Sequence, residues 1–597
     1  MSGMTENVLK AATPRSFFIM LAVLVGLTSR PGQDHGQYMA WSSAALSGNI
    51  EELDDPAAPR SPVGLPVTQW LAGPGLLIAP FMAAATPLGW RESAGVIAGF
   101  VCALMFWSCF FTGMRDLAGR HLAVLGCAVA FVATPLGYYS VIVSSETYSL
   151  LPAGVLFLYC VALARRAPAS LLGIGAATGM LLMLRPYLAV YAWPALGVAL
   201  RDEFARGKVP GIRCLLILGV PIALALLQVG TVNYWMTGNV LRSPYQFGDA
   251  QFQSLDWKCP YLGNVLGDPL HGLFPSHPLM GVGFVLIGWL AAASFYERRY
   301  REALLWGLSA VAIGINAYVQ GCWYCWWLAD GCFGMRGMLL ASIPAMAAFL
   351  RGLSMLSTTF SGRKRPPSLR IILAGVAGGC AAWSWLLMAD WPPKDHPGWG
   401  QLLTAQVAQI GQWFAFKKDA VLLFSGALAA LALQTHLRCR WRDGAWPWLA
   451  WLAATLATAY LLSRLFLFLP QPPLLHLYAA LAIGAAVCAA GSLGILRIPV
   501  ASLSVWAVAG LLGVMLAAFL PLVIHTQPVA ATQIDSPPDF DERHLVAAYM
   551  DLVDVPRLQG QKNHIGDFLR RRKGDAWYET FQKSAGGDYV AEPTSRF

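Results

Sequence analysis

The fold is decided by apolar runs such as Ser93-Ala-Gly-Val-Ile-Ala-Gly-Phe-Val-Cys-Ala-Leu-Met-Phe-Trp-Ser-Cys-Phe-Phe-Thr-Gly113, which has no charged side chain. A helix needs about 20 apolar residues to cross the hydrocarbon core of a membrane. More than a dozen such runs occur in the 597 residues, of which only 12% are charged. In soluble proteins roughly 25% of the residues are charged. The sequence therefore predicts an all-α polytopic membrane protein, and the continuous runs exclude a β-barrel, whose strands alternate.

The apolar runs predict roughly 13–16 transmembrane helices. The first, Ser16–Ser29, has no small-residue cleavage site after it, so we expect a retained span and not a signal peptide. The expected spans are 16–29, 93–113, 121–140, 148–164, 169–184, 187–200, 213–233, 279–295, 303–320, 337–351, 370–389, 420–436, 446–468, 474–491 and 502–525.

The distribution of basic residues predicts which loops face the cytoplasm. One set of loops, with the N-terminus, carries 22 Lys and Arg residues, and the intervening loops carry 10. Because short cytoplasmic loops are enriched in Lys and Arg, the first set is expected inside, and the net charge of +10 indicates orientation and not nucleic-acid binding. This assignment requires that Trp70–Gly89 does not cross the membrane. The segment contains three prolines, and Pro66 lies just before it, which disfavours a regular spanning helix. We therefore expect a juxtamembrane or re-entrant element.

The first outer loop, 30–92, places Asp34 about five residues after the first span. Tyr38, Trp41 and Ala45 follow at helical spacing, which predicts a short interfacial helix. A partly desolvated carboxylate here can act as a general base. The alternative is that the Asp34 side chain caps this helix.

The second outer loop, 140–147, contains Glu146 at the start of a span. A negative charge is favoured there by the helix dipole alone. The functional alternative is a second acid that faces Asp34 across a cleft and binds substrate hydroxyls or a divalent metal. Both interpretations stay open.

Two arginines at the outer mouths of spans need anionic partners. Arg336 closes the outer loop 321–336, and Arg185 lies between two short predicted helices. The guanidinium fork suits phosphate, and snorkelling to the membrane surface is the alternative. Cys322, Cys325 and Cys332 in the same loop lack a fourth ligand for zinc.

These motifs together resemble the GT-C superfamily of membrane glycosyltransferases, in particular bacterial members that use polyprenyl-phosphate sugars. The resemblance covers 16–350 and is carried by runs in the outer loops. They are Asp34-x3-Tyr38-x5-Ala44-x-Leu46-x-Gly48, Pro74-Gly-Leu-Leu-Ile-Ala-Pro-Phe81, Ser145-Glu146-Thr147, Gly263 to Pro278, and Trp326-Trp327…Asp330-Gly331…Phe333-Gly334-x-Arg336. His35 stands where many members carry a second acid.

The resemblance implies sugar transfer, with inversion, from a polyprenyl-phosphate donor to the hydroxyl of a glycan, lipid or protein acceptor. Asp34 would be the general base, with Glu146 as the second catalytic acid, and Arg336 and Arg185 would hold the donor phosphate. Substrate-binding residues would come from the outer loops 30–92 and 234–279, namely Tyr38, Arg242, Tyr245 and His277. No cofactor is implied beyond an optional divalent cation, Mg or Mn. The active site would be periplasmic, in a bacterial inner membrane with the N-terminus cytoplasmic.

The resemblance also divides the chain. Residues 1–350 would form the GT-C-like catalytic module, 351–525 would add further transmembrane helices, and 526–597 would be a polar tail, expected outside. Two alternatives remain: a lipid or glycan transporter or flippase, and an O-antigen-ligase-like glycan transferase. Transporters place charges in mid-span, where this chain has almost none besides Arg464. The ligase would place its key residues in one late outer loop.

Overall fold

The computed structural model of the chain describes 29–32, 34–53, 61, 63–66, 68, 70–205, 211–244, 257, 260–268, 272–323, 334–359, 376–381, 383–384 and 500–526, with the single residues 25 and 579. The predicted spans at 370–389, 420–436, 446–468 and 474–491, the Ser16–Ser29 span and the 526–597 tail lie wholly or mostly outside the described residues. The predicted all-helical membrane class is confirmed for the part described.

The described helices of four or more residues, α1 to α15, follow the chain in order. They are α1 His35–Ser47, α2 Ala72–Ala85, α3 Ala94–Ala118, α4 Arg120–Ala133, α5 Pro135–Val141, α6 Ser145–Ala164, α7 Leu171–Leu184, α8 Trp193–Ala205, α9 Ile212–Thr237, α10 Leu262–Gly267, α11 Leu273–Ser276, α12 Pro278–Tyr296, α13 Tyr300–Cys322, α14 Ser342–Thr359 and α15 Val500–His525. Two 3-10 helices, Pro186–Ala192 and Arg336–Ala341, lead into α8 and α14.

Each predicted span within the described residues coincides with a helix or a helix pair. Seven helical segments there are long and apolar enough to cross a membrane. The predicted 121–140 span is instead α4 and α5, bent by 75° at Thr134-Pro135, because proline cannot continue a regular helix. The predicted spans at 169–184 and 187–200 are α7, of 14 residues, and α8, of 13, which are short for a full crossing.

The segment expected not to cross the membrane forms the 14-residue helix α2. Its glycines allow close packing, since a Cβ at Gly73 would lie 2.0 Å from the Met183 carbonyl oxygen and one at Gly75 would lie 2.3 Å from Trp41 Cβ. Small residues at helix crossings serve the same purpose in membrane bundles generally. The predicted interfacial helix α1 is therefore packed against α2, with Tyr38 and Trp41 buried.

A short parallel strand pair connects two distant parts of the chain. Arg30–Pro31, β1, pairs with Ile142–Val143, β2, and the Gly32 N–H donates to the Val143 carbonyl at 2.8 Å. A side chain at Gly32 would lie 2.7 Å from that carbonyl oxygen. The pairing therefore brings the starts of α1 and α6 side by side.

Candidate active site

Asp34 and Glu146 are brought together by the strand pair. Each follows its strand by three residues, Asp34 after Pro31 and Glu146 after Val143. The turn before α6 is held by Thr147, whose hydroxyl donates to the Tyr139 carbonyl at 2.7 Å and accepts from the Ser144 N–H at 3.0 Å. Parallel pairing thus places two helix starts, and two carboxylates, on the same side of the bundle.

Arg336 bridges the two carboxylates. Its Nη2 lies 2.5 Å from Asp34 Oδ2, and its Nε lies 2.7 Å from Glu146 Oε2. The anionic partners of Arg336 in this structure are therefore the two predicted acids. The contact of Nη2 with Asp34 is a charge-assisted hydrogen bond, which is among the stronger hydrogen-bond types in proteins.

Arg185 completes the site from the other side of Glu146. Pro186 favours an extended conformation in the residue before it, and Arg185, at φ −158° and ψ 95°, ends α7 in that conformation. Its Nη2 lies 3.4 Å from Glu146 Oε1, and its Nε donates to the Ser145 hydroxyl at 2.8 Å. That hydroxyl in turn donates to Glu146 Oε2 at 3.0 Å.

These four residues, Asp34, Glu146, Arg185 and Arg336, form an arginine–carboxylate cluster that is neutral overall. Exposure of the side chains is 8% for Asp34, 3% for Glu146, 7% for Arg185 and 18% for Arg336. Burying a charge that has no partner costs several kcal/mol per ion as an order of magnitude. Snorkelling is excluded for Arg185, which is buried, and a new anion would reach the cluster most easily at Arg336.

The structure separates the two interpretations of Asp34. Asp34 occupies the N-cap position of α1, but its side chain makes no capping hydrogen bond. The carboxylate instead contacts Arg336, and the Tyr38 hydroxyl donates to the same Oδ2 at 3.5 Å. Glu146 satisfies both of its interpretations, since it lies in the first turn of α6 and also faces Asp34 through Arg336.

Three further residues were predicted to bind substrate. Arg242 lies exposed in the turn after α9, and its described hydrogen bonds, through backbone atoms to Thr237 and Asn239, do not reach the cluster. Tyr245 lies outside the described residues. His277 is fully buried at the start of α12. Substrate binding by these residues stays a prediction.

His277 supports the turn that carries Arg336. A Cβ at Gly334 would lie 2.9 Å from His277 Nε2, and Gly334 has a φ of +60° that favours glycine. Burial lowers the pKa of His277 to about 3, against which a hydrogen bond with the Ala133 backbone acts weakly. His277 is therefore neutral near pH 7, and it would contact a phosphate without a positive charge.

A divalent cation does not fit the cluster. Within the described residues no three His, Cys, Asp or Glu side chains come together as a metal site. The two carboxylates present are already paired with two guanidinium groups. A metal ion there would meet two positive charges at close range, which repel it.

Ser145 is the site residue that sequence reasoning did not assign. Its hydroxyl links Arg185 to Glu146. Its position beside Glu146 was the available signal, but a serine at a helix start is more often a local hydrogen-bonding residue. Gly334 and His277, which shape the turn before Arg336, were quoted as motif residues without this role.

No family model and no curated protein matches the chain. Among solved structures it is similar to ArnT from Cupriavidus metallidurans bound to undecaprenyl phosphate, at 15% identity over 75% of this chain and 74% of that chain, with a TM-score of 0.41. It is also similar to the apo state of the same protein, at 14% identity over 74% and 73%, with a TM-score of 0.38. ArnT is a GT-C glycosyltransferase.

Proposed function

We propose that the protein is a membrane glycosyltransferase that moves a sugar from a polyprenyl-phosphate donor to an acceptor hydroxyl. The proposal is carried by one observation, the bridging of Asp34 and Glu146 by Arg336 at the start of two helices. A single guanidinium between two acids supplies a phosphate-binding group and a candidate base within hydrogen-bond distance of each other. The motifs shared with GT-C enzymes support the same chemistry.

Donor binding in this scheme replaces one carboxylate on Arg336. Among the described residues Asp34 has one ion pair, with Arg336, whereas Glu146 is also paired with Arg185. The donor phosphate therefore displaces Asp34, and Glu146 stays neutralised by Arg185. Exchange of one anion for another keeps the Arg336 guanidinium paired, and the released Asp34 carboxylate, 8% exposed, is neutralised when it accepts a proton.

The released Asp34 carboxylate then accepts the proton of the acceptor hydroxyl. The acceptor oxygen bonds to the anomeric carbon as the bond from that carbon to the phosphate oxygen breaks. The electron pair leaves with the polyprenyl phosphate, whose growing negative charge is stabilised by Arg336 and Arg185. One displacement inverts the anomeric centre, and the Tyr38 hydroxyl orients Asp34 throughout.

The test is Asp34→Asn, measured as transfer of labelled sugar from a polyprenyl-phosphate donor in membranes. Asparagine keeps the shape but cannot accept a proton, so we expect a loss of about 100-fold or more. Asp202→Asn is the matched control. Asp202 has the same residue exposure of 7% and pairs with Arg301 at 2.9 Å, but it lies on α8, away from the cluster.

Equal transfer by the two variants would contradict the role of Asp34. Loss in both would indicate a general effect of removing a buried aspartate. A folded wild-type protein that transfers sugar from no such donor would contradict the proposed class and favour the transport and ligase alternatives.

A further inference from the structure

A cavity of about 250 Å³ lies between α6, α13 and α14, separate from the arginine–carboxylate cluster. Its walls are mainly apolar and include Leu156, Phe157, Trp306 and Ala347. An apolar cavity of about 150 Å³ is already large enough to bind benzene in a protein interior. This one has room for a length of hydrocarbon chain.

One end of the cavity is charged. Asp116 and Arg165, near the ends of α3 and α6, line this end of the cavity. Glu302 on α13 and Arg351 on α14 line it as well. These residues lie at the end of α6 opposite Glu146, about 30 Å away for a helix of 20 residues. The charged rim therefore lies near the other face of the membrane.

With the side chains that pair with it, the rim has one more arginine than it has carboxylates: Arg115, Arg165, Arg299 and Arg351 against Asp116, Glu297 and Glu302. Its two carboxylates are each held closely by an arginine that does not line the cavity: Asp116 by Arg115 at 3.0 Å and Glu302 by Arg299 at 2.6 Å. The lining arginines are farther from the same carboxylates, Arg165 at 3.9 Å and Arg351 at 3.7 Å. Arg165 Nη1 also donates to the Asp116 carbonyl at 3.0 Å. The rest of its guanidinium, and that of Arg351, can turn to an anion while Arg115 and Arg299 keep the carboxylates paired.

The other end of the cavity faces the 3-10 helices that carry or follow the two arginines of the cluster. Tyr191 and Leu340 line it there, on the two 3-10 helices that carry or follow Arg185 and Arg336. Asn316 joins these two helices, because its Nδ2 donates to the Tyr191 hydroxyl and to the Gly337 carbonyl, each at 2.9 Å. A ligand that entered from the cluster would have to separate these two 3-10 helices, whereas Arg165 at the charged rim is exposed.

We propose that the cavity binds an acyl chain of an anionic phospholipid from the leaflet opposite the arginine–carboxylate cluster, with the lipid phosphate at Arg165 and Arg351. An apolar interior below a positive rim matches an amphiphile with an anionic head. Such lipids are present at that depth of a membrane and are attracted to basic residues at its surface. This inference does not depend on the proposed glycosyl transfer.

The experiment uses a phosphatidylglycerol that carries a photoreactive group on its acyl chain, added to the delipidated full-length protein. Phosphatidylcholine with the same chain is the neutral comparison, and the labelled peptides are identified by mass spectrometry. Ala347→Phe fills the cavity, with Ala292→Phe on the exposed side of α12 as its control. Arg165→Gln weakens the rim, with the exposed neighbour Arg166→Gln as its control.

We expect labelling of α6 and α14 by phosphatidylglycerol, and its loss in Ala347→Phe but not in Ala292→Phe. Arg165→Gln should weaken phosphatidylglycerol binding about tenfold and leave phosphatidylcholine unaffected. Labelling confined to other helices, or equal labelling in Ala347→Phe and its control, would overturn the site. Equal binding of the two lipids, unchanged in Arg165→Gln, would overturn the anionic headgroup. The rim variant decides the matter if Ala347→Phe does not fold.

Discussion

Arg336 contacts Asp34 and Glu146 through two different nitrogens of one planar group. A lysine ammonium is a single point charge and cannot reproduce this fork. An arginine also bridges two carboxylates at the opposite end of the bundle, where Arg299 contacts Glu297 through Nη2 at 2.7 Å and Glu302 through Nη1 at 2.6 Å. The second arginine serves as an internal comparison for the first.

Arg336→Lys should therefore lower kcat/KM for the donor by about 100-fold, because the developing phosphate charge loses its bidentate partner. The measurement is a steady-state titration of the donor. Arg299→Lys should keep wild-type kinetics. Similar losses in both variants would mean that the bridging arginine acts on stability and not on the donor.

His277 predicts a dependence of stability on pH. Burial holds its pKa at about 3, below the ordinary value of 6.5, so the unfolded chain binds a proton that the folded protein does not between these values. The contribution of His277 to stability is therefore present above pH 6.5 and is lost progressively as the pH falls towards about 3.

His277→Gln should flatten this part of the profile, measured as Tm against pH from 7 to 4 in detergent. The difference between wild type and variant isolates the histidine from the carboxylates that titrate in the same range. His525→Gln, at the exposed end of α15, should retain the wild-type slope. A wild-type slope in His277→Gln would contradict a buried neutral histidine.

At the scale of elements, the position of α1 depends on its close approach to α2. Asp34 stands at the start of α1, and the contact of Gly75 with Trp41 and with the Tyr38 carbonyl holds that helix in place. Membrane helices gain little from burying apolar surface against each other, since lipid is equally apolar. Close packing of this kind is then a main source of specificity.

Gly75→Ala should lower the free energy of unfolding by about 1–3 kcal/mol, because the added methyl group overlaps Trp41. Thermal unfolding in detergent measures this. Gly219→Ala on α9 is the control, since a Cβ there meets nothing within 4 Å, and alanine should be neutral or stabilising by up to about 1 kcal/mol. An unchanged Tm in Gly75→Ala would show that α1 and α2 do not depend on this contact.

At the scale of the molecule, the charge distribution predicts the orientation in the membrane. The outer end should carry α1 and the residues after α2, and the basic end of α8 should face the cytoplasm. Leu88, 63% exposed, and Phe204, 61% exposed, lie on the two expected sides.

A membrane-impermeant maleimide should therefore label Leu88→Cys from outside the membrane, and Phe204→Cys only after permeabilisation. The wild-type protein, whose described cysteines are buried or half-buried, measures the background. The reverse pattern would invert the orientation and place the arginine–carboxylate cluster in the cytoplasm.

The positions of the described helices were predictable because a span needs about 20 apolar residues, a property that each run shows without reference to the rest of the chain. Proline likewise indicated the break at Arg185-Pro186, but it does not interrupt α2, which continues through Pro80. The bend between α4 and α5 was not predicted, since a proline inside a long apolar run is compatible with a continuous, kinked helix.

The sequence alone also identified the four cluster residues as unusual, because charge at the mouth of a span is costly without a partner. They are Asp34, Glu146, Arg185 and Arg336. The pairing of these residues could not be derived from the sequence. It depends on the strand pair of Arg30–Pro31 with Ile142–Val143, on an Arg336 side chain far along the chain, and on the turn shaped by His277 and Gly334. Local sequence sets hydrophobicity and helix ends, but contacts between distant residues are set by packing, which only the tertiary structure determines.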